Sequence, residues 1–255
     1  MKKVIHIFVS FTALILIWQL AVTFENWNKA LLPSPLDVVE GFIEMVSSGI
    51  LLTGILDSML RFAIGYCIAV ITGVTVGLIL GWFRGVWSYI NPIVQLLRPI
   101  SPIAWLPFIV LWFGIGDLPA IIIIFIAAFF PILLTTVTAV SKVDQTYIKV
   151  ARNFGIKRVS FLTKIVLPSA FPYIATSLHL ALGTAWVFLV AGEMVGAQTG
   201  LGYLIIDSRN NLRADMLLSS IIVIGLIGLI LDSLIGLIEK SILNKFGFVA
   251  NDGRT

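Results

Sequence analysis

Few residues in this chain could carry bond chemistry, and those few stand apart. The two histidines, His6 and His179, are far from each other in sequence. The single cysteine, Cys67, lies in an apolar run, so no intramolecular disulfide can form. Neither C-x-x-C nor H-E-x-x-H occurs, and a metal centre built from this chain alone is not expected. No G-x-x-x-x-G-K-[ST] loop is present to cradle nucleotide phosphates. What remains are lone ionisable groups in apolar stretches, where such a group is a functional candidate by default. Arg98, beside Pro99, offers a positive charge to a passing anion, or else snorkels to headgroups and caps carbonyls freed by Pro102. Arg61 and Glu193 fall at similar depth, since Glu193 lies ~37 Å along its helix at 1.5 Å per residue. Opposite charges at one depth stabilise each other's burial, as a fixed strut or as a gate. His179, near mid-membrane, reads as a hydrogen-bonded packing residue or as a proton relay. The candidate pathway residues are therefore Arg98, Pro99, Trp105, His179 and Glu193.

The elements that position them follow from composition. Of 255 residues, 59% are hydrophobic and only 12% charged, which a water-soluble domain could not bury. The chain is expected to be an all-α, multi-pass membrane protein, one domain over residues 1–255. Six spans are expected, at about 5–24, 54–82, 87–113, 118–141, 168–196 and 214–243. The first follows Met1-Lys2-Lys3; it is long enough to span and no A-x-A-like site follows it, so a spanning helix is expected and not a signal peptide. Residues 35–49 alternate acids with apolar groups at helical spacing after Pro33-Ser34-Pro35, the pattern of an amphipathic helix on the membrane surface. Lys2 and Lys3, Arg84, and the basic stretch 142–164 fall on one side of a six-span chain. The positive-inside rule makes that side, and both termini, cytoplasmic. The basic residues form no arginine stripe with interleaved aromatics, which speaks against nucleic acid as a partner. In the second span Gly65, Ala69, Gly73, Gly77 and Gly81 recur every four residues, a face that allows close helix approach in lipid and that would need a partner helix. The third expected span holds Pro92, Pro99, Pro102 and Pro107, each removing a backbone donor; broken helices are tolerated where they line a cavity, which makes this span the first candidate for a pathway lining.

Between the fourth and fifth spans the chain reads Lys149-Val150-Ala151, three residues, Gly155, nine residues, Ile165, one residue, Leu167-Pro168. Residues 144–154 can form a short helix with Tyr147, Val150, Ala151 and Phe154 on one side. Gly155 can adopt the left-handed conformation that turns the chain. Residues 157–167 can form a second short helix, and Pro168 suits the first turn of the span that follows. Any basic cytoplasmic loop would explain the charges of Lys149 and Arg152, but not Ala151, Gly155, Ile165 and Leu167-Pro168 together.

This spacing resembles the coupling loop of ABC-importer permeases, E-A-A-x3-G-x9-I-x-L-P, with Lys149 and Val150 where the pattern has Glu and Ala. Further segments are similar to the nitrate/sulfonate/taurine branch of that family: Leu32-Pro33-Ser34-Pro35, Arg98-Pro99-Ile100, Ala104-Trp105-Leu106-Pro107, Leu111-Trp112-Phe113-Gly114, Ala191-Gly192-Glu193-Met194, Gly200-Leu201-Gly202-Tyr203 and Ile224-Gly225-Leu226-Ile227-Gly228. The resemblance implies a type I importer permease of a bacterial plasma (inner) membrane. It would pair with a second copy of itself, two ATP-binding cassette subunits and an extracytoplasmic solute-binding protein. It implies that residues 142–167 are the cytoplasmic coupling loop, docking the ATPase through Lys149, Val150, Ala151, Arg152, Gly155, Ile165, Leu167 and Pro168. ATP and Mg would bind to the partner ATPase, so no cofactor and no catalysis are expected in this chain. The cargo implied is a small anion. The competing expectations are a channel or secondary transporter needing no ATPase, and an intramembrane enzyme, for which no Ser/His or paired-carboxylate arrangement is found inside the spans.

Overall fold

A computed structural model describes residues 2–24, 30–142 and 166–245. Its helices are α1 (Lys2–Phe24), α2 (Pro35–Ser47), α3 (Ile50–Trp82), α4 (Arg84–Leu97), a 3-10 turn (Pro102–Trp105), α5 (Leu106–Phe113), α6 (Asp117–Ser141), α7 (Leu167–Gly196), α8 (Leu201–Asn210) and α9 (Ala214–Lys245). No strand occurs among the described residues. Among the described residues, four helices are long and apolar enough to cross a membrane: Ile50–Trp82, Asp117–Ser141, Leu167–Gly196 and Ala214–Leu243. The fold is that of an all-α membrane protein.

The expected third span is not one helix. Its two halves, Arg84–Leu97 and Pro102–Phe113, meet at 85°. The cause is local. Proline disfavours helical geometry in the residue before it, and Ser101, just before Pro102, is extended (φ −57°, ψ 131°). Pro92 is carried inside α4, and Pro107 falls at the start of α5 where its missing donor costs nothing. Counted as one broken span, the pair brings the spans to five; α1 contributes a shorter apolar helix, Phe8–Phe24.

The helices group into two compact units, Met1–Ser58 with Gln198–Ile227, and Met59–Ala197 with Gly228–Thr255. In the first, α2 opens with a capping box. The Ser34 side chain accepts from the Asp37 amide, and the Asp37 carboxylate accepts from the Ser34 amide, with Pro35 preset at the first turn. The helix buries Val38, Gly41 and Met45 and leaves Val39, Phe42 and Ile43 exposed. Ser219 of α9 donates to the Val38 carbonyl (2.7 Å). Arg213 bridges Glu44 (2.6 Å) and Asp215 (2.8 Å). Its hydrogen bond holds the Glu44 carboxyl below its usual range. A depressed carboxyl stabilises the fold above its unfolded pKa, and that contribution is lost as pH falls through the folded value. The short helix α8, which the apolar pattern did not suggest, starts after Gly200 at φ 106°, a conformation that favours glycine. The Leu201 amide donates to Ser58 (2.8 Å).

In the second unit, α6 is the central element. Ile123, Ile124, Ala127, Ala128, Ile132 and Leu133 are buried along it, and α7 buries Ala170, Ile174, Ala181, Ala185 and Leu189. The small-residue face of α3 lies on α6. A Cβ on Gly65 would stand 2.8 Å from the Ile121 carbonyl oxygen, on Gly73 2.9 Å from Ile132, on Gly77 2.6 Å from Thr136 Cβ, and on Gly81 2.7 Å from Val140. The glycine face is therefore filled within the chain, and it is not a surface awaiting a second copy. Packing this tight leaves no room for a methyl group. Gly77→Val is expected to cost about 1–3 kcal/mol through overpacking, read as a lower Tm of the purified protein. Gly85→Val, where nothing lies within 4 Å of the new Cβ, is the control that should leave the Tm unchanged.

Candidate functional site

The most deeply buried charges gather where α3, α6 and α7 meet. Arg61 on α3 places Nη1 2.7 Å from Glu193 Oε1 on α7, and both Nε and Nη2 2.7 Å from Asp117 Oδ1 at the start of α6. The Arg61 side chain is 5% exposed and Glu193 0%, whereas Asp117 is 68% exposed. Asp117 lies in the first turn of α6, where the helix dipole favours a carboxylate. Its role was missed in the sequence; the only signal was an acid at a helix start after Gly116, at the outer end expected for Arg61. The same corner is pinned by backbone. The Gly116 amide donates to the Gly196 carbonyl at 2.7 Å, and a Cβ on Gly196 would stand 2.9 Å from Pro119. A guanidinium between two carboxylates, enclosed by three helices, has the geometry of a tie.

A second polar cluster lies between α7 and α9. His179 Nδ1 is 2.8 Å from Glu239 Oε2, and Nε2 is 2.9 Å from Asp232 Oδ1. Thr176 donates to the other Glu239 oxygen at 2.8 Å. Asp232 and Glu239 are seven residues apart on α9 and so share a face. An imidazolium donates to both carboxylates, whereas a neutral ring has one N–H and leaves one contact to a protonated carboxyl. The sequence pointed to His179 but to neither acid.

The other pathway candidates are dispersed. Arg98 caps the end of α4 at the break and is exposed, as is Pro99. Trp105 is half-buried in the 3-10 turn, against Leu106, Ile109 and Ile123. Glu193 and His179, fourteen residues apart on one helix, are separated by ~21 Å at 1.5 Å per residue. Of the coupling residues, Leu167 and Pro168 form the first turn of α7. Lys149, Val150, Ala151, Arg152, Gly155 and Ile165 lie outside the described residues. Among the described residues no group of three His, Cys, Asp or Glu side chains is arranged to hold a metal ion.

Residues 73–244 match the family described as binding-protein-dependent transport system inner membrane component. The nitrate import permease protein NrtB of Synechocystis is 31% identical over 250 residues, covering 94% of this chain and 90% of that protein. The taurine transport system permease protein TauC of Escherichia coli is 32% identical over 224 residues, covering 86% and 82%. Among solved structures, the native crystal form of the inward-facing MetNI methionine ABC transporter superposes with a TM-score of 0.66 at 20% identity, over 78% of this chain and 97% of that one.

Proposed function

This chain belongs to the inner membrane components of binding-protein-dependent transport systems, and from that premise we propose how it works and what it carries. It is the multi-pass permease subunit of an ABC importer. Two copies assemble with two ATP-binding cassette subunits, which hold the ATP and Mg, while an extracytoplasmic binding protein delivers the cargo. The chain itself breaks no bond. ATP binding closes the ATPase pair and draws the two 142–167 loops together. The pathway then switches from inward- to outward-facing. The observation that carries this reading is the spacing Ala151, Gly155, Ile165, Leu167-Pro168 directly before a spanning helix. Basic charge alone does not require it.

The cargo is a small oxyanion of the nitrate or sulfonate class, taurine included. The reading rests on relatives named for nitrate and taurine. The test is reconstitution with the cognate ATPase and binding protein in vesicles. The expected result is ATP-dependent uptake by a complex holding two copies of each core subunit. Uptake that proceeds without ATP would favour a channel or secondary transporter, and a transport-competent monomer would overturn the assembly.

Arg98→Gln removes a charge at the break while keeping polar reach. If Arg98 attracts the anion, uptake at saturating binding protein falls by roughly tenfold, equivalent to about 1.4 kcal/mol, while the amount of assembled complex in the membrane stays near normal. A parallel fall in both would mark Arg98 as an anchor of the broken helix. No change in either would leave it a headgroup contact.

A further inference from the structure

Helix α4 carries a polar stripe that the pathway candidates did not include. Arg84, Ser88, Asn91, Gln95 and Arg98 follow one another at intervals of three and four residues, so they share one side of the helix. Trp87, Ile90 and Val94 form the adjacent packing side, against Leu80, Leu133 and Val137. Two arginines thus stand about 21 Å apart at 1.5 Å per residue, with neutral hydrogen-bonding groups between them.

Part of this stripe lines a cavity of about 500 Å³ between α4 and α6. Arg84, Trp87, Asn91 and Gln95 form one wall, and Thr138 and Ser141 belong to the other. Arg84 donates to the Ser141 carbonyl at 3.2 Å. No carboxylate pairs with it among the described residues, and most of its five donors remain available. Gln95 donates to the Asn91 side-chain oxygen at 3.3 Å, which leaves the Asn91 amide N–H free to donate elsewhere. Among the residues that line the cavity, Arg84 alone carries a charge. The sequence holds no acid between Asp57 and Asp117, and none between Asp117 and Asp144.

We propose that this cavity is an anion-binding site on the cytoplasmic, release side of the pathway, taking a small oxyanion of the nitrate or sulfonate class. It rests on the importer reading above and adds the site to it. The planar guanidinium of Arg84 presents paired N–H groups that match two oxygens of such an ion. The side-chain amide N–H groups of Asn91 and Gln95 complete the shell without further charge, which keeps binding weak enough for release. Arg98, at the far end of the stripe, raises the local potential for an approaching anion. A cation would meet the Arg84 guanidinium and no carboxylate among the lining residues.

The test uses the permease co-purified with its ATPase in vesicles, in a Cys67→Ser background. Gln95→Cys is the first reporter, and Asn91→Cys is the second should the first not assemble. Each is labelled with an ethylsulfonate and with a trimethylammonium thiol reagent, and the rate ratio is normalised to a small free thiol. The expected result is a preference for the sulfonate reagent that falls about tenfold when Arg84→Gln and Arg98→Gln are combined. Nitrate or methanesulfonate should slow the labelling and tetramethylammonium should not. A ratio insensitive to both arginines, or no labelling by either reagent, overturns the proposal. Protection that follows the content of anionic phospholipid and ignores nitrate also overturns it, because a lipid headgroup is then the occupant. ATP-driven uptake measured on the same vesicles keeps the two readings apart. Normal uptake with an insensitive ratio sinks the site alone, and absent uptake with wild-type residues sinks the importer reading.

Discussion

Replacing Arg61 with methionine is expected to lower both the amount of protein in the membrane and its Tm. The substitution keeps the apolar stem and deletes the charge, leaving Glu193 fully enclosed with its counter-ion gone. Breaking a buried pair from one side costs about 3–5 kcal/mol, because the remaining buried charge loses its counter-charge. Whole domains are stable by only about 5–15 kcal/mol, so a loss of this size is read directly as a fall in membrane-inserted protein and in the Tm of the purified complex. Glu193→Gln combined with Arg61→Met removes the buried negative charge as well and should recover part of the loss. Asp117→Asn should cost less than about 1 kcal/mol, since its carboxylate is largely exposed and an exposed pair contributes little. Near-normal abundance of the Arg61→Met protein would show that the tie is dispensable.

Gly155→Val is expected to separate ATP hydrolysis from transport. The coupling reading needs a left-handed residue between two short helices, and a β-branched side chain resists positive φ. The turn would then aim the second helix wrongly at Leu167-Pro168, where α7 begins. Uptake should drop by at least about tenfold, equivalent to about 1.4 kcal/mol or more, while the ATPase remains bound and hydrolyses ATP without responding to loaded binding protein. Complex assembly and stimulated ATPase activity are the two readouts. Wild-type values for both would move the pivot away from Gly155.

Long apolar runs made the spans legible, because lipid requires each crossing segment to satisfy its own backbone over some twenty residues. The expected 118–141 and 168–196 correspond to Asp117–Ser141 and Leu167–Gly196. Features that depend on which helices are neighbours were less legible. The four-residue rhythm of Gly65, Ala69, Gly73, Gly77 and Gly81 announced a close approach, but nothing in one sequence said that α6 of the same chain would fill it. Arg61 and Glu193 could be placed at one depth by counting residues, whereas Asp117 begins a helix and was read as part of a loop. Asp232 and Glu239 fall within the expected 214–243 span without being singled out, since their meaning depends on α9 lying beside His179. The proline-rich third segment advertised disturbance without saying which proline breaks the chain. The 85° turn falls where Ser101 precedes Pro102, although Pro92 is tolerated within a helix.

A ring gripped at both nitrogens has a mechanical consequence. Asp232 and Glu239 take hold of His179 from two levels of α9, about 10 Å apart along its axis at 1.5 Å per residue. Sliding one helix past the other by a single turn would release both grips at once. A small rotation about the line joining the two nitrogens would release neither. The joint is therefore stiff to shear and compliant to swivel, and while it holds, any displacement that α7 transmits from its first turn at Leu167-Pro168 carries that stretch of α9 along as one lever.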